Sequence, residues 1–91
     1  MGLFFEWDTN KAKANILKHK VSFEEASTVF GDNNSITIDD PVHSLSEKRY
    51  ITLGLSANDY LLVVVHTERG EKIRIISARR ASTKEKRQYE K

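Results

Sequence analysis

The chain has 91 residues, the length of one domain, and its composition is that of a soluble globular protein. It contains no cysteine, which excludes disulfides, thiolate metal sites and a cysteine nucleophile. The longest apolar run, residues 60–65, is too short to span a membrane and no signal segment opens the sequence, so we expect a cytoplasmic protein.

Charge is distributed unevenly along the chain. The net charge is +2, but residues 66–91 hold nine Lys and Arg against four Asp and Glu. Residues 1–65 hold six against nine and are therefore acidic. This asymmetry, more than the mild overall basicity, indicates a basic surface that can bind phosphates.

The first part of the chain predicts a short strand followed by two helices. Residues 4–7 are aromatic and alternating, which is typical of a strand. Residues 9–19 repeat apolar positions at helical spacing, and Asp8 before them is a good N-cap. Ser22 and Glu25 form the capping-box pattern that begins a second helix.

The remainder predicts four strands and a helix. The strands are expected at residues 35–39, 49–56, 60–68 and 72–78. Along the last of them, alternation sorts the side chains into two faces, with Ile73, Ile75 and Ser77 on one and Arg74, Ile76 and Ala78 on the other. Ser82 and Glu85 repeat the capping-box pattern and begin a C-terminal helix. The order βααββββα predicts an α+β domain whose antiparallel sheet packs against the N-terminal helices.

The clustered arginines are the first candidates for function. Arg79 and Arg80 would point to opposite sides if the last strand continues through them. Arg74 lies on the same strand and Arg69 in the adjoining turn. Each one alone is most simply a solvated surface charge. As a group they can hold a phosphodiester bidentately and stabilise the charge of a pentacoordinate transition state.

Histidine is the natural candidate for proton transfer, because its unperturbed pKa lies near neutrality. His19 ends the first helix, where capping of the helix dipole explains it as well as function does. His43 follows Asp39 and Asp40 in a loop that offers metal ligands only superficially, since the spacing matches no metal motif. His66 is predicted to be packed within a strand. The absence of a serine nucleophile elbow and of a Gly-rich phosphate loop argues against those two hydrolase classes.

Several segments form a recognisable pattern at collinear spacing over almost the whole chain. They are Phe5-Glu6-Trp7-Asp8, Lys18-His19, Val21-Ser22-Phe23-Glu24-Glu25-Ala26, His43-Ser44 with Glu47 and Arg49, and Ser77-Ala78-Arg79-Arg80-Ala81 with Glu85 and Tyr89. Together they resemble the BrnT family, the toxin half of BrnT/BrnA type II toxin–antitoxin modules. One departure is Lys20, where the family usually has glycine, and its loss is expected to affect the turn before Ser22.

The resemblance implies a RelE-like fold, ribonuclease activity that blocks translation, and neutralisation by a BrnA antitoxin that represses the shared operon through its own DNA-binding domain. It also suggests an assembly of two toxins with two antitoxins. The residues assigned to the site are Arg79, Arg80, Arg69, His19, His43 and Tyr89. The arginines would stabilise the transition state, one histidine would act as general base or acid, and the tyrosine would stack on a base or donate a proton.

No metal or cofactor is expected, because RNA carries its own nucleophile, the 2′-hydroxyl. A second hypothesis is a module without catalysis, whose basic sheet surface binds RNA or an acidic protein. Cleaved ends of a single-stranded RNA would favour the enzyme, and shifted intact RNA would favour the module. The sequence indicates no large exposed apolar patch that would make the chain dimerise alone.

Overall fold

The computed structural model describes residues 2–42 and 47–90. Its strands are β1 (Phe4–Glu6), β2 (Ile36–Asp39), β3 (Arg49–Leu55), β4 (Leu61–Arg69) and β5 (Lys72–Arg80). Its α-helices are α1 (Thr9–His19), α2 (Phe23–Ser27) and α3 (Thr83–Tyr89), and a 3₁₀ turn at Thr28–Gly31 follows α2. The predicted α+β class is therefore confirmed.

Across the described residues, the strands form one five-stranded sheet in the order β1-β5-β4-β3-β2. Strands β2 to β5 pair antiparallel, as predicted. The prediction of an antiparallel sheet is wrong at one edge, because β1 lies parallel to β5, with Phe4 beside Lys72 and Glu6 beside Arg74. In the sheet, β1 and β2 lie at opposite edges, and the helices between them carry the chain from one edge to the other. This long connection allows β1 to run parallel to its neighbour β5.

The core lies between the helices and one face of the sheet, which we call the helix face. It consists of fully buried apolar side chains from both layers, namely Val21, Phe23, Ala26, Val29, Leu62, Val64, Ile75 and Ala78. Trp7 meets the Phe23 ring edge-on at 5.9 Å between centroids. The opposite face, which we call the open face, presents Ile51, Leu53, Val63, Val65 and Arg79. Within the described residues, α3 covers part of it.

A β-bulge in β5 determines the face of the sheet on which each side chain after Ile76 lies. Val65 pairs with Ser77 and His66 pairs with Ile75, so Ile76 is an extra residue without a partner in the ladder. The bulge reverses the alternation beyond it, and the predicted grouping of Ser77 with Ile75 is therefore wrong. Ala78 lies in the core, and Arg79 is turned onto the open face.

The helix starts follow the capping patterns with one exception. Ser22 caps α2 through its Oγ, which accepts from the backbone N of Glu25 at 3.0 Å. The reciprocal half of that capping box is missing, because the Glu25 carboxylate accepts a hydrogen bond from the Ser56 hydroxyl at 2.8 Å instead. At α3 both halves of the capping box between Ser82 and Glu85 are present.

Asn15 closes an edge of β5 that β1 leaves open. Among the described residues, no strand lies beside the outer edge of β5 beyond Arg74, and the buried Asn15 amide bonds there to Ala78. Its Nδ2 donates to the Ala78 carbonyl at 2.8 Å and to the Val21 carbonyl at 2.9 Å. Its Oδ1 accepts from the Ala78 N–H at 3.1 Å. One side chain thereby replaces the peptide group of a neighbouring strand.

Lys20 makes the turn after α1 in the left-handed conformation, with φ 62° and ψ 28°. Its N–H donates to the Ile16 carbonyl at 2.9 Å, as in a helix end capped by glycine. The turn is thus made without glycine. The left-handed conformation is strained here, because the Lys20 Cβ comes close to a backbone carbonyl oxygen.

We expect Lys20→Gly to raise the free energy of unfolding by up to about 1 kcal/mol. Relief of the left-handed strain outweighs the larger conformational entropy that glycine gives to the unfolded chain. Urea denaturation measures the change. Lys18→Gly within α1 is the matched control and should destabilise by about 1 kcal/mol. Destabilisation by Lys20→Gly as well would contradict the argument.

Candidate functional site

Arg79 is directed onto the open face of the sheet, opposite Val63 of β4. Its Nη1 donates to Oε1 of Glu85 at 2.9 Å and its Nη2 donates to Oε2 at 2.8 Å. This is the bidentate geometry in which a guanidinium holds a carboxylate or a phosphate. In the structure, the anion-binding edge of Arg79 is therefore formed, and Glu85 occupies it.

The pair is charged throughout the neutral range. The Arg79 guanidinium, and after it the backbone N–H of Ser82 at 2.7 Å, lower the pKa of Glu85 to about 2. The hydrogen bonds to Glu85 in turn raise the pKa of Arg79. The side chain of Arg79 is 44% exposed, so a ligand can reach it from the open face.

The helix that carries Glu85 is held at both ends. Besides the capping box at Ser82, the Tyr89 hydroxyl donates to Oδ2 of Asp32 at 2.6 Å. The same oxygen accepts from the backbone N of Leu55 at 2.9 Å. The bond raises the pKa of Tyr89 and lowers that of Asp32. The structure thus engages the Tyr89 hydroxyl in anchoring α3 to the end of β3.

Arg80 and Arg79 point to opposite faces of the sheet, so they cannot bind the same phosphate group. Arg80 follows Arg79 on the strand and points to the other side, where its Cζ lies 3.9 Å from the centroid of the Tyr60 ring. A cavity of about 390 Å³ adjoins the pair on the flank of α3 remote from Glu85, with Lys86 in its wall. The two neighbouring arginines therefore serve different surfaces.

Arg69 lies at the far end of the sheet from Arg79. Along β4, Arg69 is six residues beyond Val63, the residue that pairs with Arg79. Six strand residues span about 20 Å. Nη2 of Arg69 donates to Oε2 of Glu47 at 3.1 Å. Nearby, Nη1 of Arg74 donates to Oε2 of Glu6 at 3.0 Å. The structure does not bring Arg69 to the same ligand atom as Arg79.

Of the two predicted histidines, His19 takes no part in the geometry around Arg79. His19 occupies the last turn of α1, in the helical layer on the other side of the sheet. His43 lies outside the described residues, and the loop of Asp39, Asp40 and His43 stays untested as a metal site. Within residues 2–42 and 47–90, no three His, Asp or Glu side chains come close enough together to hold a metal ion. No helix in that part of the chain is long and apolar enough to cross a membrane.

His66 lies at the end of a hydrogen-bonded series that runs through the hydroxyls of Thr37 and Thr52 and was not predicted. The prediction that it is packed is confirmed, because it is only 5% exposed, between the rings of Phe30 and Tyr50. Its Nε2 lies 2.7 Å from the Thr52 hydroxyl, and that hydroxyl lies 2.8 Å from the one on Thr37. Only the alternation of threonines with apolar residues on adjacent strands could have signalled this arrangement. Burial lowers the pKa of His66 from 6.5 to about 4.

Because of that shift, we expect the protein to lose about 2 kcal/mol of stability between pH 7 and pH 5. The unfolded state binds the His66 proton below about pH 6.5, whereas the folded state binds it only near pH 4, so acid favours unfolding across this interval. Glu85 titrates lower and does not contribute there. Urea denaturation at the two pH values measures the loss. His66→Gln should abolish it and His19→Gln should retain it, and a wild-type stability that is flat from pH 7 to pH 5 would contradict the prediction.

An apolar groove of about 400 Å³ lies beside Arg79 on the open face. Its walls are Ile36, Ile38, Ile51, Leu53 and Val63, together with Arg79, Glu85 and Gln88. The isoleucines of the edge strand β2 are 40% and 57% exposed. Three strands that are separate in the sequence assemble the groove by pairing, so no single segment could predict it. The expectation that the chain has no large apolar patch able to make it dimerise alone stays a prediction.

A family model described as "Ribonuclease toxin, BrnT, of type II toxin-antitoxin system" matches residues 7–85. The structure is similar to the 1.1 Å crystal structure of the Brucella abortus ribonuclease toxin BrnT, with a TM-score of 0.65 and 21% sequence identity. The match covers 90% of this chain and 100% of that chain, and at this identity it shows a shared fold. No curated protein matches the sequence.

Proposed function

The chain belongs to the BrnT family of ribonuclease toxins of type II toxin–antitoxin systems, and on that premise we propose that it is a metal-independent endoribonuclease that inhibits translation. The observation that carries the proposal is the bidentate presentation of the Arg79 guanidinium on an accessible face of the sheet. A phosphodiester offers two non-bridging oxygens that match this edge as the Glu85 carboxylate does. RNA binding then requires the phosphate to displace Glu85 or to share Arg79 with it.

In the proposed reaction, the 2′-hydroxyl of RNA attacks the adjacent phosphorus. The O2′–P bond forms, the P–O5′ bond breaks, the 2′-hydroxyl loses its proton and O5′ gains one. The products are a 2′,3′-cyclic phosphate and a 5′-hydroxyl. Arg79 stabilises the extra negative charge of the pentacoordinate transition state, where preorganised donors contribute most.

Proton transfer is assigned to histidine, as the sequence predicts. His19 and His43 are the candidates for general base or acid. Tyr89 keeps α3 in place through Asp32, and so fixes the helix that carries Glu85. Arg69 binds RNA phosphates at a distance from the cleavage point rather than at it, in keeping with its place about 20 Å along the sheet.

The test is cleavage of single-stranded RNA by the purified protein, with and without EDTA. We expect defined cuts that end in a 2′,3′-cyclic phosphate and persist in EDTA, because a 2′-hydroxyl nucleophile needs no metal. Loss of cleavage in EDTA with rescue by a divalent ion would favour a metal site at the loop of Asp39, Asp40 and His43. Retarded but intact RNA would favour the binding module without catalysis.

The family implies an antitoxin partner, and we assign that role to a BrnA-like protein that covers the open face. The apolar groove beside Arg79 offers the buried part of such an interface, and Arg79 with α3 offers its charged rim. Two toxins and two antitoxins form the complex, joined through the antitoxin's DNA-binding domain, which alone contacts the operator. A RelE-like fold and a cytoplasmic location complete the proposal. Light scattering on the purified complex checks its stoichiometry, and a toxin that is a stable dimer alone would contradict it.

A further inference from the structure

Among the described residues, Arg80 differs from the other arginines of β4 and β5 because its guanidinium contacts an aromatic ring and not a carboxylate. Arg69, Arg74 and Arg79 each donate to a glutamate carboxylate. In the part of the chain that the structure describes, Arg80 makes no ion pair, and its guanidinium lies over the ring of Tyr60. Within the described residues its N–H donors are therefore not engaged by an anion, while an aromatic ring fixes its position.

The Arg80 guanidinium lies over the Tyr60 ring, and both groups are planar. At 3.9 Å, the distance from Cζ to the ring centroid puts the guanidinium in direct contact with the Tyr60 ring, well inside the range of cation–π pairs. The Arg80 side chain is exposed, so a second planar group can approach the guanidinium from the side away from Tyr60. Planar guanidinium groups and aromatic rings are the surfaces on which unpaired RNA bases stack.

The cavity next to this pair has the size and the lining for a nucleotide. Its volume of about 390 Å³ lies within the range of small-molecule sites. Leu55 and Leu61 give it apolar walls, and Lys86 adds a positive charge for a phosphate. Asp59 and Glu90 line it as well, and these carboxylates can accept hydrogen bonds from an exocyclic amino group.

We propose that Tyr60 and Arg80 form a nucleobase platform, on which a base of the RNA substrate stacks while the scissile phosphate lies at Arg79 on the other flank of α3. This inference rests on the proposed ribonuclease function and adds a determinant of sequence preference to it. Because carboxylates line the cavity, the platform prefers a base that carries an amino group, and uracil is disfavoured.

The experiment compares Tyr60→Leu, Tyr60→Phe and Arg80→Lys with the wild type, using RNA of mixed sequence and sequencing of the cut ends. Tyr60→Phe keeps the ring and should keep the base preference. Tyr60→Leu removes the ring, and Arg80→Lys keeps the charge but loses the plane. Both should flatten the preference and raise KM by about 5- to 150-fold, the range that one stacked base contributes, with kcat nearly unchanged. Arg87→Lys on the exposed surface of α3 is the matched control.

Two outcomes would overturn the platform while leaving the ribonuclease function intact. One is an unchanged base preference in both Tyr60→Leu and Arg80→Lys. The other is a loss of kcat at constant KM, which would place Arg80 at the reacting phosphate. A second measurement does not depend on cleavage, namely anisotropy of labelled 2′-O-methyl RNAs that differ in one base. Base-dependent affinity that Arg80→Lys removes would support the platform even if the wild type failed to cut RNA, and circular dichroism verifies that each variant is folded.

Discussion

Replacing Arg79 with alanine is expected to lower kcat/KM for RNA cleavage by at least about 10²- to 10³-fold, the effect of removing one preorganised donor to a developing oxyanion. The variant should remain folded, because the Arg79–Glu85 pair is partly exposed and such pairs contribute no more than about 1 kcal/mol. Steady-state cleavage and circular dichroism on the same preparation measure both quantities. Induced expression of the variant should no longer arrest growth.

Arg87→Ala on α3 is the control for the loss of one positive charge and should stay within about twofold of the wild type. Arg80→Ala should also relieve growth arrest, but through weaker RNA binding, since its side chain faces Tyr60. An Arg79→Ala protein as toxic as the parent would remove Arg79 from the site. A variant that is unfolded would show that the bond to Glu85 has a structural role instead.

The second large effect is expected at Asn15. Asn15→Ala removes three buried hydrogen bonds, two to the Ala78 peptide groups at the edge of β5 and one to the Val21 carbonyl. Unsatisfied buried groups cost about 1–3 kcal/mol each when water cannot replace the partner, and we expect a total loss of about 2–4 kcal/mol in the free energy of unfolding. Urea denaturation measures it.

Asn10→Ala at the exposed start of α1 is the matched control and should change stability by less than about 0.5 kcal/mol. Asn15→Asp keeps an acceptor for the Ala78 N–H but loses both donors and buries a charge, so it should be at least as damaging. If Asn15→Ala loses under 1 kcal/mol, the amide is not what closes the sheet edge.

The parts of the fold that could be predicted from the sequence are those encoded by neighbouring residues. Ser82 with Glu85 predicted the start of α3 because a capping box lies within four residues. The bulge at Ile76 and the parallel pairing of β1 could not be predicted in this way. Both depend on which backbone groups meet across strands that are far apart in the chain.

The same distinction applies to the candidate site. The identity of Arg79 as a phosphate ligand candidate follows from residue type and local charge density. Its orientation does not, because the bulge turns it to the open face, and its bond to Glu85 depends on the return of α3 over the sheet. The link from Thr37 through Thr52 to His66 crosses three strands and has no local signature.

The contact between Asn15 and Ala78 joins residues 63 positions apart, and the parallel pairing of β1 with β5 spans a similar distance. Contacts of such long range slow folding, because the entropy of closing the loop is lost before the contact forms. During synthesis, β1 and α1 leave the ribosome before β5, yet they need Ile75 and Ala78 of β5 as partners in the core. The helical layer therefore cannot be stable before residues 72–80 have emerged. Arg79 belongs to that same segment, so the phosphate-binding edge and the stable fold arise together, once residues 72–80 have emerged.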